Sequence, residues 1–162
     1  MIKYCLNKWD KNKDLLKKEL LAQLRNGQLT NCNYSHLMKT VIHCILNDNI
    51  DNIDDIDSEW DEKNFTVIDN GDYQGTLLFL IPQDTYEPDV TEYLMTFIDY
   101  GSCSGCDTLL AIQSEIDFGY EDKNEELVVS DFMKICKDLI TNMIKPYNTG
   151  WRQSEEFNTI EF

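Results

Sequence analysis

Two apolar runs separated by five turn-forming residues constrain this chain more than any other feature. Phe65-Thr-Val-Ile-Asp69 and Gly75-Thr-Leu-Leu-Phe-Leu-Ile81 are rich in β-branched and aromatic side chains, with Asn70-Gly71-Asp72-Tyr73-Gln74 between them. Such side chains suit a pleated, half-buried surface, and Asn-Gly supplies the reversing turn. The pattern predicts a β-hairpin. A third run, Thr91 to Asp99, follows a loop bounded by Pro82 and Pro88. It most simply extends the hairpin into a three-stranded antiparallel meander.

Helical periodicity brackets this sheet. Leu15, Leu16, Leu20, Leu21 and Leu24 fall at helical spacing, and predict a helix over 10–26 with Asp10 as cap and Gly27 as stop. A second helix is predicted over 33–47. Tyr34, Leu37, Val41, Cys44 and Ile45 share one face of it, and His36, Thr40, His43 and Asn47 form a polar stripe on another. Thr108 to Ile116 reads as a short helix that Asp107 can cap. Residues 119–126 read as a charged turn. A strong helix follows over 130–145, with Phe132, Ile135, Cys136, Leu139 and Met143 as its apolar stripe and Pro146 as its end. The tail, 148–162, carries Trp151, Phe157 and Phe162 and reads as loosely docked. The chain has 162 residues, enough for one domain with a real core. The expected architecture is a single α+β domain, 1–162, with four to five helices covering a small antiparallel sheet.

The chemistry-bearing stretch is Asp99-Tyr-Gly-Ser-Cys103-Ser-Gly-Cys106-Asp107-Thr-Leu109, which joins the third strand to the short helix. Three chemistries fit its C-x-x-C. The first is zinc, because the turn lets two thiolates converge on one ion, with Gly105 relieving the backbone. Two thiolates make half a site. His36 and His43 are the candidate completing ligands, with Cys32 and Asp107 as alternates. The two histidines stand two turns apart, roughly 10 Å along a straight helix, so one of them is the easier partner. The second is thiol–disulfide exchange, since a helix N-terminus lowers a cysteine pKa. Against it, Asp99 and Asp107 should raise a thiol pKa, and the hairpin precedes the motif rather than following a βαβ unit. The third is a metal-free structural turn. Cys44 and Cys136 occupy apolar helix positions and read as small core residues. No spacing supports a cysteine–histidine nucleophile, and no phosphate-binding glycine loop is present, so no catalytic residue is assigned.

Charge is the other constraint. The net charge is −16. Residues 1–26 hold seven Lys/Arg and three Asp/Glu, net +4, which leaves −20 on the remainder. Repulsion then disfavours direct contact with nucleic-acid phosphates or an anionic membrane, and favours solubility or a basic partner. Eight of the fifteen residues from Asp48 to Glu62 are acidic, with Ile50, Ile53, Ile56 and Trp60 recurring as apolar anchors. Asp48, Asp51, Asp54, Asp55, Asp57 and Glu59 are the candidate partner-binding carboxylates. A calcium loop is disfavoured because Trp60 stands where the EF-hand turn needs Gly, and Thr66 where the bidentate Glu belongs. No apolar run reaches the roughly 18–20 residues of a membrane span, and Met1 to Cys5 lacks a signal-peptide core, so a cytoplasmic location is expected.

The run Phe97-Ile-Asp-Tyr-Gly-Ser-Cys-Ser-Gly-Cys-Asp-Thr-Leu109 resembles a motif of small proteins encoded by phages and other mobile elements. Phe132-Met-Lys-Ile-Cys136 with Lys145 is similar too, and together they cover about a third of the chain. Small acidic proteins of that kind include inhibitors of host nucleases such as the anti-CRISPR proteins. The resemblance implies an acidic inhibitor in the host cytoplasm that docks on the basic surface of a defence nuclease such as a CRISPR effector, as a nucleic-acid mimic or beside its channel. On that reading a structural zinc site staples the scaffold, and no enzymatic activity is expected.

Overall fold

The computed structural model describes residues 1–47, 59–117 and 124–146. Helix α1 spans Ile2–Arg25 and starts two turns before the leucine spacing implies. Its buried stripe is Cys5, Trp9, Asn12, Leu16, Leu20 and Gln23, at steps of three and four. Two polar members hide that stripe in the sequence. Gly27, at φ 73°, then takes the left-handed conformation that ends the helix. Gln28 N–H bonds back to Gln23 C=O at 2.9 Å and Gly27 N–H to Leu24 C=O at 3.0 Å.

Helix α2, Tyr34–Val41, is capped by Asn33, whose side chain accepts from His36 N–H. It widens into a π-helix over Ile42–Leu46, closed by Asn47 N–H bonding to Ile42 C=O at 2.9 Å. Two side chains one turn apart on α1 satisfy the carbonyls at its end. Lys8 Nζ donates to Leu46 C=O at 2.9 Å, and Asn12 Nδ2 donates to Ile45 C=O at 3.1 Å. That contact explains why an asparagine sits in the core: it supplies a donor that a leucine cannot.

The sheet is the expected meander. Strands β1 (Thr66–Asp69), β2 (Gly75–Pro82) and β3 (Tyr93–Tyr100) lie in the order β1-β2-β3, all antiparallel. Leu78 faces Ile68 on one side and Phe97 on the other. The run predicted to start at Thr91 begins with a 3-10 turn, Val90–Glu92, which Asp89 closes in a capping box. Phe79, Ile81, Leu94 and Thr96 are buried, and Thr96 Oγ1 donates to Leu139 C=O at 2.6 Å.

Helix α3 spans Thr108–Asp117 and α4 spans Glu125–Thr141. Helix α4 therefore begins five residues before the predicted start and ends four before the predicted end. Asn124 caps it through Glu126 N–H, and Glu125 and Glu126 lie in its first turn, where the helix dipole favours them. Beyond α4, Ile144 and Met95 exchange backbone hydrogen bonds at 2.8 and 2.9 Å, so the chain turns onto the edge of β3. Residues from α1, α2, the π-helix, α4 and one sheet face share one core, including Cys44 and Cys136 as expected. Among the described residues this is a single α+β arrangement of four α-helices and a three-stranded antiparallel sheet.

Trp60 is 2 % exposed and is the anchor its spacing implies. Asn47 pairs with its backbone twice, accepting from Trp60 N–H at 2.9 Å and donating to Trp60 C=O at 2.8 Å. Asp48, Asp51, Asp54, Asp55 and Asp57 lie outside the described residues. Glu59 lies within them and is held by Tyr4 O–H at 3.0 Å and Lys8 at 3.7 Å.

Candidate functional site

The loop from Gly101 to Asp107 is built on one buried carboxylate. Asp107 is 6 % exposed. Its Oδ1 accepts from Leu110 N–H at 2.9 Å, which caps α3, and from Tyr34 O–H at 3.0 Å. Its Oδ2 accepts from Gly101 N–H at 2.9 Å. One side chain thus joins the end of β3, the start of α3 and the face of α2. The predicted cap is present. These three donors hold the buried Asp107 carboxylate among backbone amides and the Tyr34 phenol. Burial, then the nearby Asp107 charge, raises the Tyr34 phenol, which stays protonated and donating.

Between those anchors the chain folds back tightly. Cys106 N–H and Asp107 N–H both bond to Cys103 C=O, at 3.0 and 2.9 Å. Both thiols are exposed, and their sulfurs are 2.9 Å apart. Cys103 N–H donates to Cys106 Sγ at 3.2 Å. The Cys106 thiol is lowered below its ordinary value, first by the Cys103 thiol hydrogen bond and then by the Cys103 and Ser102 donors around it. The rise expected from the acidic flanks does not occur. Asp107 points inward, and Asp99 accepts from Thr76 Oγ1 at 2.6 Å.

The glycine that matters is Gly101, not Gly105. A Cβ on Gly101 would stand 2.5 Å from Cys106 C=O and 2.6 Å from Cys106 Sγ, whereas at Gly105 the nearest atom would be 3.9 Å away. Only a residue without a side chain lets the Cys106 turn close over β3.

The four predicted zinc ligands are not brought together. His36 Nε2 meets Gln23 Oε1 at 2.9 Å, and Gln23 Nε2 is engaged with Glu19 and Thr40. The amide oxygen therefore faces the imidazole, and His36 is the Nε2–H tautomer donating to it. His43, on the π-helix, places Nδ1 2.8 Å from Glu62 Oε2. Cys32 is buried beside Gln113, whose Nε2 donates to Cys32 C=O at 2.7 Å, and burial pushes its thiol up to about 11. Among the described residues no three His, Cys, Asp or Glu side chains are arranged to hold a metal ion. The polar stripe joining His36 to His43 does exist, but it ties α2 to α1 and to Glu62 rather than to the cysteine loop.

Tyr34, Ser102 and Gly101 support the site and were not legible from spacing. Gly101 stands five residues before a cysteine, which signals nothing until the turn is known. No protein-family model, no curated protein and no solved structure matches this chain.

Proposed function

We propose that the Cys103–Cys106 loop is a thiol–disulfide exchange centre, with Cys106 as the attacking thiolate and Cys103 as the resolving thiol. One observation carries this reading: two exposed sulfurs 2.9 Å apart, with hydrogen-bond donors directed at one of them. The Cys106 thiolate attacks a sulfur of a substrate disulfide. A bond forms between Cys106 Sγ and that sulfur, and the other substrate sulfur leaves as a thiolate, taking a proton from water. Deprotonated Cys103 then attacks Cys106 Sγ in the mixed disulfide, and the second substrate sulfur leaves. The protein ends as the Cys103–Cys106 disulfide, having passed two electrons to the substrate. A disulfide needs sulfurs about 2.05 Å apart, so closing the pair requires a shift of less than an ångström. An exposed thiol lowered below its ordinary value, beside a second exposed thiol that can resolve it, suits such exchange.

The test is incubation of the reduced chain with glutathione disulfide, read by thiol counting and intact mass. Two of the six thiols should disappear with loss of two hydrogens. Cys103→Ser should stop at a glutathione adduct on Cys106, and Cys106→Ser should react more slowly. Six thiols still free after equilibration with excess oxidant would overturn the reading. Protein isolated without chelator that carries near-stoichiometric zinc, lost in either serine variant, would assign the pair to a metal site instead.

A second reading rests on charge. With −20 outside residues 1–26, the chain suits a basic protein partner, and Asn47, just before the acidic stretch, pairs with the backbone of Trp60 within it. On this reading the protein is an acidic, protein-binding inhibitor of a host nucleic-acid-binding defence nuclease, acting as a nucleic-acid mimic. Reversing Asp51, Asp54, Asp55 and Asp57 to Lys should abolish capture of such a partner while leaving the circular dichroism spectrum unchanged. Undiminished capture would remove the carboxylates from the interface.

A further inference from the structure

A trough runs along the polar side of α2, away from the cysteine loop. Two hollows of about 530 and 280 Å³ share His36, Lys39 and Glu62. The larger extends past Asn31 and Asn33 to Lys63 and the Phe65 ring, and the smaller reaches His43 on the π-helix.

The charges lining this trough are unequally engaged. Glu62 faces His43 at 2.8 Å, and Glu19 accepts from Gln23 at 2.9 Å. Asp61, next to Lys63, is occupied locally. Its Oδ1 accepts from Lys63 N–H and Asn64 N–H, and its Oδ2 from Asn64 Nδ2 at 2.7 Å. Lys39 and Lys63 are exposed, and neither ammonium forms an ion pair among the described residues. His36 is neutral in this setting, held down first by burial and then by the Lys39 charge. Among the described residues of a chain of net charge −16, this concave surface has carboxylates satisfied internally and two lysines without an ion pair, Lys63 feeling the Asp61 charge only at a distance. The π-helix adds to the case, because such widened turns recur where a side chain must be re-aimed at a functional surface.

We infer that this trough binds a small oxyanion, a carboxylate or phosphate group on a metabolite-sized molecule, with Lys39 and Lys63 as its cationic partners and the neighbouring asparagine amides and Phe65 ring meeting the rest of it. Among the described residues no three acidic, His or Cys side chains converge there as metal ligands. Two ammonium groups can each give an oxyanion a charge-assisted hydrogen bond, which is stronger than a neutral one. The inference stands apart from the thiol chemistry, as neither Cys103 nor Cys106 lines the trough.

Titration of the full chain with inorganic phosphate and, separately, with succinate tests this. The readout is two-dimensional NMR of backbone and imidazole resonances, at constant ionic strength set by chloride. Saturable shifts centred on His36, Lys39 and Lys63 are expected with at least one of the two. Response to phosphate alone assigns a phosphoryl ligand, and response to succinate alone a carboxylate. Lys39→Ala with Lys63→Ala should weaken the response at least about tenfold, and the paired arginine variant should restore it. Both lysines are exposed, so the variants should fold, and unchanged dispersion elsewhere in the spectrum checks this. Shifts that never saturate with either anion, or that persist undiminished in the double alanine variant, would overturn the inference.

Discussion

At the scale of single residues, the loop depends on what is missing at 101 and what is buried at 107. Gly101→Ala would drive a methyl against Cys106 C=O and Sγ, so the turn must open. The expected outcome is slower disulfide closure with little change in global stability, measured as the rate of thiol loss under glutathione disulfide. Asp107→Asn keeps an acceptor but loses the charge that receives three donors, and should loosen both the α3 cap and the Tyr34 tie. Cys106 should be the first thiol alkylated as pH is raised. Its lowered value means more thiolate at a given pH, while Cys32 and Cys44 are pushed up to about 11 and about 12 by burial. Mass mapping of iodoacetamide adducts across a pH series checks that order. His36 gives the opposite kind of pH signature. Its folded value is lowered, so the unfolded chain binds its proton more readily. Its contribution to stability is therefore present above its unfolded value near 6.5 and is lost as pH falls through that value towards its lower folded one. Urea midpoints measured across that window, with His36→Gln as reference, check the sign.

At the scale of elements, α1 is the beam against which the other helices are set. Its contribution at the π-helix is polar as well as apolar. Asn12→Ala removes the donor to Ile45 C=O and leaves a buried carbonyl short of a partner, at an expected cost of about 1–3 kcal/mol read from chemical denaturation. Trp60→Ala is expected to cost more, about 3–5 kcal/mol, because a fully packed indole leaves a cavity. It would also disturb the segment whose backbone is paired to Asn47 and to Gln83. The sheet is held to α4 at two levels. Thr96 reaches Leu139 in the core, and Ile144 pairs with Met95 at the edge of β3. That second contact accounts for the early end of α4. The chain stops being helical where its backbone is taken up by β3, not where Pro146 forbids a helix.

At the scale of the whole molecule, charge sets the behaviour. A net charge of −16 makes the folded state repel itself, and added salt screens that repulsion. The thermal midpoint should rise as chloride is increased from low ionic strength, and a flat or falling midpoint would show that the surface pairs dominate. Those pairs, such as Arg25 with Glu125 at 2.8 Å and Lys134 with Asp131 at 2.7 Å, are solvent-exposed and contribute little each. The same field repels nucleic acid and draws cationic partners, so capture of a basic protein should weaken with salt. Against that background Lys39 and Lys63, which make no ion pair among the described residues, mark the α2 trough as the departure.

Local periodicity and short turns in the sequence were enough to order the elements and to place the antiparallel meander. The apolar stripes of α2 and α4 point where their spacing says. The sequence also located the loop that carries the two exposed thiols and the cap at Asp107. Tertiary structure alone decided what those groups do. Tyr34 and Asp107 are 73 positions apart in the chain, and their hydrogen bond turns a carboxylate away from thiols that sequence proximity placed it beside. His36 and His43 share a stripe, yet Gln23 and Glu62, residues from elsewhere in the chain, set their partners. The Cys106 shift is set closer to home, lowered by the Cys103 thiol and the Cys103 and Ser102 donors once Asp107 is held inward. Charge counted along the chain acts only through the directions in which side chains are held, and those directions are set by packing between distant segments.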